Sequence, residues 1–215
     1  MTAPALPRAA VDAAVAAERH RVADLVADLT DEQWATPSLC AAWTVRDVVA
    51  HLTVTTRTTV PRLLPAAVRA RGSFDRMAVD LAAARAAAYT TAELVAQLRE
   101  SAGSTRRVPG STPMDPLMDL VVHGQDVARP LGRRHVTPPD VVAACLAYVA
   151  ANRFMGGPRR LAGVQLVSTD TGWTHGDGAE LRGPDVDLLL VAAGRRAGLD
   201  ALRGPGAAVV AARLG

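Results

Sequence analysis

The sequence predicts a mainly helical protein: a bundle of long helices over residues 1–155, then a small α/β domain over 156–215. Three observations predict it. Valine and leucine recur at helical spacing through most of the first part. Alanine dominates a composition that is 49% hydrophobic but only 3% aromatic, which suits helices packed closely through small side chains. After "MGGPRR" the texture changes to short apolar runs divided by Gly, Asp and Thr, the pattern of brief strands and turns.

The elements follow in order. Residues 8 to 29 place Val11, Val15, Val22, Leu25, Val26 and Leu29 on one helical stripe. "TDEQWATPSLCAAW" reads as a loop. A second helix opens at Thr44, an N-cap with Asp47 three residues on, and carries Val45, Val48, Val49 and Leu52 on its apolar face. The β-branched threonines at 53 to 59 weaken its far end, and Pro61 and Pro65 predict a kink or break. Residues 74 to 102 form one long or two shorter helices, with Thr91 as the restart cap. Asp115 and Pro116 make an N-cap and first-turn pair for a helix that Gly132 ends. Thr137 and Pro138 repeat that signal for an added helix, "PDVVAACLAYVAANRF". Beyond it, "AGVQLVSTDTGW" and "GAELRG" are short strands around the turn "THGDG". Pro184 then opens a last helix, before a short tail broken by Gly-Pro-Gly.

Composition excludes several roles. Every basic residue is arginine, and the 24 arginines are interspersed with 21 acids for a net charge of +3, so no block of like charge tracks a phosphate backbone. No run approaches the roughly 20 apolar residues that cross a bilayer. The N-terminus lacks the charged start and apolar core of a signal peptide. Cys40 and Cys145 sit among apolar neighbours and read as two reduced thiols of a cytoplasmic protein. A monomer or homodimer acting on small molecules, with no nucleic acid and no membrane partner, is expected.

The candidate chemistry lies in "MDLVVHGQD", residues 118–126. At 100° per residue, Leu117, Leu120, Val121, Gly124, Val127 and Ala128 form the apolar face. Asp119 and His123 lie one turn apart on its shoulder, where two side chains reach one point, and Asp126 follows along that edge. His51 has the same placement on its own helix. If the two helices pack antiparallel, His51, Asp119 and His123 converge. Two imidazoles and a carboxylate suit a divalent cation with open coordination positions. The competing reading is a solvated acidic stripe of Asp115, Asp119 and Asp126, and spacing alone favours it. His20, His135 and His175 show no partner pattern and fit surface or turn positions.

"WATPSLCAAWTVRDVVAHL" followed by "DLVVHGQDVARPLG" resembles the mycothiol-dependent maleylpyruvate isomerase family of the DinB-like superfamily of four-helix metalloproteins. Pro37, Leu39, Trp43, Val45, Asp47, His51 and Leu52 fall in the family's pattern, as do His123, Asp126 and Gly132. The late stretch "ELRGPDVDLLLVAAGRRAGLDALRGPG" is similar to the family's small C-terminal domain. The resemblance implies a DinB-like bundle and a divalent metal, zinc by preference, held by His51, Asp119 and His123. Asp119 stands where the family has Glu, one methylene longer, so the helix must sit closer or a water must intervene. Asp126 is then expected to orient a ligand.

The resemblance further implies mycothiol, the small thiol of actinobacteria, as cosubstrate. The metal activates its thiolate for addition to an activated double bond or another electrophile. Isomerase and S-transferase are then one mechanism stopped at different points. Arg195 resembles the family's late Gly-Arg and is the expected clamp on an anionic substrate. An arginine answering a helix dipole explains it equally well. Two other classes stay open. One is a Cys–His hydrolase built on Cys40 and His51, which lacks an oxyanion-hole signature. The other is a non-catalytic metal-binding or regulatory module that keeps the bundle.

Overall fold

The structure is a computed structural model that describes residues 5–57, 71, 73–108 and 110–214. It is mainly helical, with one small sheet near the C-terminus, as the sequence predicts. The expected break at Pro61 and Pro65 lies outside the described residues. Contacts group the chain into two compact units, residues 12–135 and residues 136–215 with 1–11.

The unit 12–135 holds most of α1 (Arg8–Leu25), then α2 (Asp31–Trp34), α3 (Val45–Arg57), α4 (Phe74–Ala88), α5 (Thr91–Glu100) and α6 (Met114–Ala128). α3 is its central element and packs against α4, α5 and α6. Its apolar stripe is realised in full: Val45, Val48 and Val49 have no exposed surface, and Leu52 is buried. Each such side chain contributes roughly 1.5–3 kcal/mol by leaving water. Thr53 and Thr56 are buried as well, and their hydroxyls donate to the carbonyls of Ala50 and Thr53 inside the same helix. Those return bonds satisfy the two buried hydroxyls within the helix.

Several caps differ from the sequence reading in instructive ways. Asp47 completes the expected cap of α3: its carboxylate accepts from the Thr44 amide at 2.9 Å and hydroxyl at 2.7 Å. The stretch 30–43 is not all loop, because Thr30 and Gln33 close a reciprocal capping box around α2. The break between α4 and α5 is capped by Thr90 with Glu93, one residue before the expected Thr91. Asp115 is not an N-cap. It lies inside the first turn of α6 and accepts from the Thr112 amide at 2.5 Å, one turn upstream.

In the other unit α7 (Pro139–Ala151) packs against α9 (Asp185–Ala192), so this helix groups with the C-terminal part, one helix before the compositional change at 155. α8 (Gly157–Arg160) follows α7 closely. A β-carbon on Gly157 would drive into the Val149 carbonyl, which explains the glycine there. The sheet has the order β2-β1-β3. β1 (Val164–Ser168) pairs parallel with β3 (Ala179–Gly183) and antiparallel with β2 (Thr174–His175). The first two residues of the expected turn thus form a strand, with His175 stacked on Trp173 at 5.3 Å. A 3₁₀ turn (Arg196–Ala201) and α10 (Gly206–Ala211) finish the chain, α10 packing on β1 and β3. Among the described residues no helix is long and apolar enough to cross a membrane.

One buried charge ties α1 to the end of α5. Arg19 is 3% exposed and donates to the carbonyls of Ser101 at 2.7 Å, Ala102 at 3.0 Å and Ser104 at 2.7 Å. Arg19→Met keeps the apolar stem but strands these acceptors. The expected loss is about 3 kcal/mol of unfolding free energy in urea; a loss within about 0.5 kcal/mol, the range of a neutral surface change, would show that the bonds carry nothing.

Candidate metal centre

α3 and α6 bring His51, Asp119 and His123 together. Asp119 stands between the imidazoles, with Oδ2 3.3 Å from His51 Nε2 and Oδ1 3.3 Å from His123 Nε2. One ligand atom from each residue lies within 4.8 Å of the others, and no second such cluster occurs among the described residues. Donors bonded at about 2.1 Å to a tetrahedral zinc stand roughly 3.4 Å apart, so the spacing fits a small divalent cation with little movement. The shorter carboxylate reaches both histidines.

Asp126 controls the ring of His123. Its side chain has no exposed surface, and Oδ2 lies 2.8 Å from His123 Nδ1. A hydrogen bond donated by Nδ1 aims Nε2 at Asp119, the orientation a ligand needs. The solvated-stripe reading therefore fails at Asp126: the helix is buried nearly all round from Leu120 to Ala128. His51 is held differently. Its Nδ1 is buried without a hydrogen-bond partner among the described residues, and its ring is fixed by packing.

Trp43 supplies that packing. Its indole lies 4.9 Å from the His51 ring and 5.8 Å from the His123 ring, and the two imidazoles meet edge-on at 5.1 Å. The loop that carries Trp43 is closed on itself. Ser38 Oγ donates to the Trp43 carbonyl at 2.9 Å, and Thr36 accepts from the Val45 amide at 2.9 Å. It is fastened to α6 by the Leu39 amide, which donates to the Asp126 carbonyl at 3.2 Å. Spacing alone does not reveal this wall, because Trp43 precedes α3 and follows no helical period. Access lies on the Asp119 side: its side chain is 36% exposed, against 17% for His51 and 8% for His123.

The electrostatics are those of a coupled cluster. Burial raises the cost of charge on Asp119, yet the imidazoles of His51 and His123 outweigh it and hold the carboxyl well below the usual carboxylate range. Burial likewise opposes charge on His123, but Asp119 and then Asp126 push it up to about 9.

The family model for the mycothiol maleylpyruvate isomerase N-terminal domain matches residues 15–117. That segment is similar to this domain family. The resemblance read in "WATPSLCAAWTVRDVVAHL" is thereby borne out. No curated protein matches the chain. Among solved structures, the mycothiol-dependent maleylpyruvate isomerase is similar at a TM-score of 0.63 and 14% identity, covering 94% of each chain. A histidine-to-alanine mutant of that isomerase is similar at 0.57 and 14%, again over 94% of each. At this identity the likeness shows the fold, including the C-terminal unit that the domain model does not reach.

The remaining candidates lie elsewhere. Arg195 belongs to the C-terminal unit, precedes the 3₁₀ turn and donates to the Ala193 carbonyl at 2.8 Å. Cys40 is half-buried in the Trp43 loop. His135, expected at the surface, is instead buried against Glu18 at 2.9 Å. A helical stripe gave no sign of this, because His135 lies in the irregular segment after α6.

The raised value of His123 fixes a pH dependence. A histidine that binds its proton more tightly when folded adds stability that is complete below its ordinary value near 6.5 and is lost as pH rises through about 9. The depressed Asp119 adds stability that is lost as pH falls below the usual carboxylate range. Metal-free protein should therefore lose stability between pH 6.5 and 9, and Asp119→Asn should flatten that decline. Urea titrations across the range, with His123 followed by NMR, measure both; a His123 resonance titrating near 6.5 would contradict this assignment.

Proposed function

We propose that the protein is a metal-dependent enzyme that uses mycothiol as cosubstrate, either an isomerase or an S-transferase acting on a small activated electrophile. The observation that carries this reading is the convergence of two imidazoles on one carboxylate. It occurs in a chain whose residues 15–117 match the model for the mycothiol maleylpyruvate isomerase N-terminal domain. The ligand set is His51, Asp119 and His123, and zinc is the favoured ion because imidazole and carboxylate suit it. When bound, such an ion supplies Lewis acidity that lowers the pKa of a thiol placed at its open position.

The chain's own residues prepare that position. Asp126 holds the His123 proton on Nδ1, so Nε2 is a donor without rotation. Trp43 covers the rings and keeps water from that side. The more exposed edge of Asp119 leaves the way in for thiol and substrate.

The thiolate sulfur then bonds to one carbon of a conjugated cis double bond, and the π pair moves onto the neighbouring carbonyl as an enolate. The former double bond rotates as a single bond. Return of the electrons expels the thiolate and leaves the trans alkene. An S-transferase stops earlier, when a proton rather than the returning pair quenches the enolate. Arg195 is the proposed partner of an anionic substrate group.

The test has two stages. Protein purified without a histidine tag should carry about one equivalent of divalent metal, and His51→Ala with His123→Ala should lose it. Metal-loaded protein given mycothiol and maleylpyruvate should yield trans product with thiol regenerated. With a general electrophile, adduct accumulation and thiol consumption mark a transferase. Arg195→Ala should weaken binding of an anionic substrate about tenfold with metal content unchanged. Absence of metal, or retention of it in the double variant, overturns the reading; metal-loaded protein inert in both assays leaves a binding module in its place.

A further inference from the structure

A second buried pair of ionisable groups, packed against α6, is not used by the proposed chemistry. Glu18 on α1 has no exposed surface, and the His135 side chain is 1% exposed. Glu18 Oε2 lies 2.9 Å from His135 Nε2 without the alignment of a hydrogen bond, so the contact is electrostatic. The other carboxylate oxygen accepts from Arg21 at 2.6 Å. Burying a carboxylate this completely is costly unless it is paired.

The pair is seated on one particular turn of α6. After Ala128 the chain reverses at Gly132 (φ +63°) and runs back along the helix. The Arg133 amide donates to the Ala128 carbonyl at 2.9 Å, which holds the reversal in place. The His135 ring then lies flat on Gly124, where a β-carbon would fall inside the contact distance of three ring atoms. Next to it, Gln125 Nε2 donates to the His135 carbonyl at 2.8 Å. Gly124 and Gln125 are the residues between His123 and Asp126. The return segment therefore grips the two positions that separate the ligand histidine from its orienting carboxylate.

We propose that Glu18 and His135 are positioning residues for the metal centre: Glu18 draws the His135 ring onto Gly124, and this fixes the turn of α6 that presents His123 and Asp126. The inference rests on the metal reading for its functional consequence, but its geometric content concerns the metal-free protein as well. It also explains why glycine stands at 124, inside a helix, where it costs about 1 kcal/mol relative to alanine. No other residue admits the ring.

Two variants test it on the full chain. Gly124→Ala pushes the ring off the helix, and His135→Ala removes the ring without adding an atom. Leu94→Ala, a core truncation on α5, controls for lost stability alone. Zinc affinity is measured by chelator competition at a temperature where circular dichroism shows each protein folded. In metal-free protein, the downfield Nδ1 proton of His123 bonded to Asp126 is followed by NMR. The expected result is zinc binding weakened about tenfold in both α6-facing variants, with the Nδ1 proton shifted or broadened, and neither change in Leu94→Ala. Unchanged affinity and an unchanged Nδ1 proton in the two variants, with only a lower melting temperature, overturn the positioning role. Wild-type protein that binds no zinc overturns the metal reading instead. The NMR comparison then still decides whether the His135 ring on Gly124 holds His123.

Discussion

The site depends on one constraint, the complete burial of the Asp126 carboxylate. A carboxylate out of water must find a partner, and the partner is His123 Nδ1 at 2.8 Å. That single bond chooses the tautomer and plane of the imidazole and so points Nε2 at Asp119. The backbone of the same residue accepts the Leu39 amide, which fastens the loop that lays Trp43 over both imidazoles. One position on α6 thus sets the chemistry of one ligand through its side chain and the enclosure of both rings through its carbonyl. His51 gets its place from α3, whose valine stripe is buried against α4, α5 and α6.

The parts of this arrangement that obey a period were legible in the sequence. The apolar faces of α3 and α6, the one-turn spacing of Asp119 and His123, and the shoulder position of His51 all follow from 3.6 residues per turn. The strands β1 and β3 were marked by composition. What escaped was held by tertiary contact rather than by local pattern. Asp126 reads as one more acid on a solvated stripe until the packing of the helix shows that it is fully buried. Glu18 and His135 are separated by most of the unit, and nothing in "AAERHR" or "RRHVTP" announces their pairing. The caps erred by a residue or by a role for a different reason: Thr90 and Thr91 are chemically alike, and only the reach of Glu93 selects between them.

The reach of Asp119 depends on how closely α3 and α6 approach. A shorter side chain would leave a gap if α3 and α6 kept the separation suited to a longer one. Here α3 and α6 are in contact, and both carry small buried side chains, Val48 and Val49 on one and Val121 on the other. The carboxylate is then equidistant from both Nε2 atoms at 3.3 Å. Small-residue packing and a short carboxylate belong together, and the alanine- and valine-rich composition that first marked the chain as helical suits that close approach.

Without a cation the three groups satisfy one another. Asp119 carries the negative charge, His123 holds a proton up to about pH 9, and the two neutralise each other across 3.3 Å. The pair is stable because the mutual attraction of the two groups outweighs the cost that burial puts on each charge. A cation taking the Nε2 lone pair must displace that proton, so association releases a proton at any pH below about 9 and grows stronger as pH rises towards it. Asp126 holds Nδ1 on the opposite side of the ring from Asp119. His51, with no acceptor at its own Nδ1 among the described residues, has no such partner, and its ring is kept in place by the indole of Trp43. The centre therefore has one arm fixed by a hydrogen bond and one fixed by packing. The first sets where charge resides, and the second limits how far water can follow it.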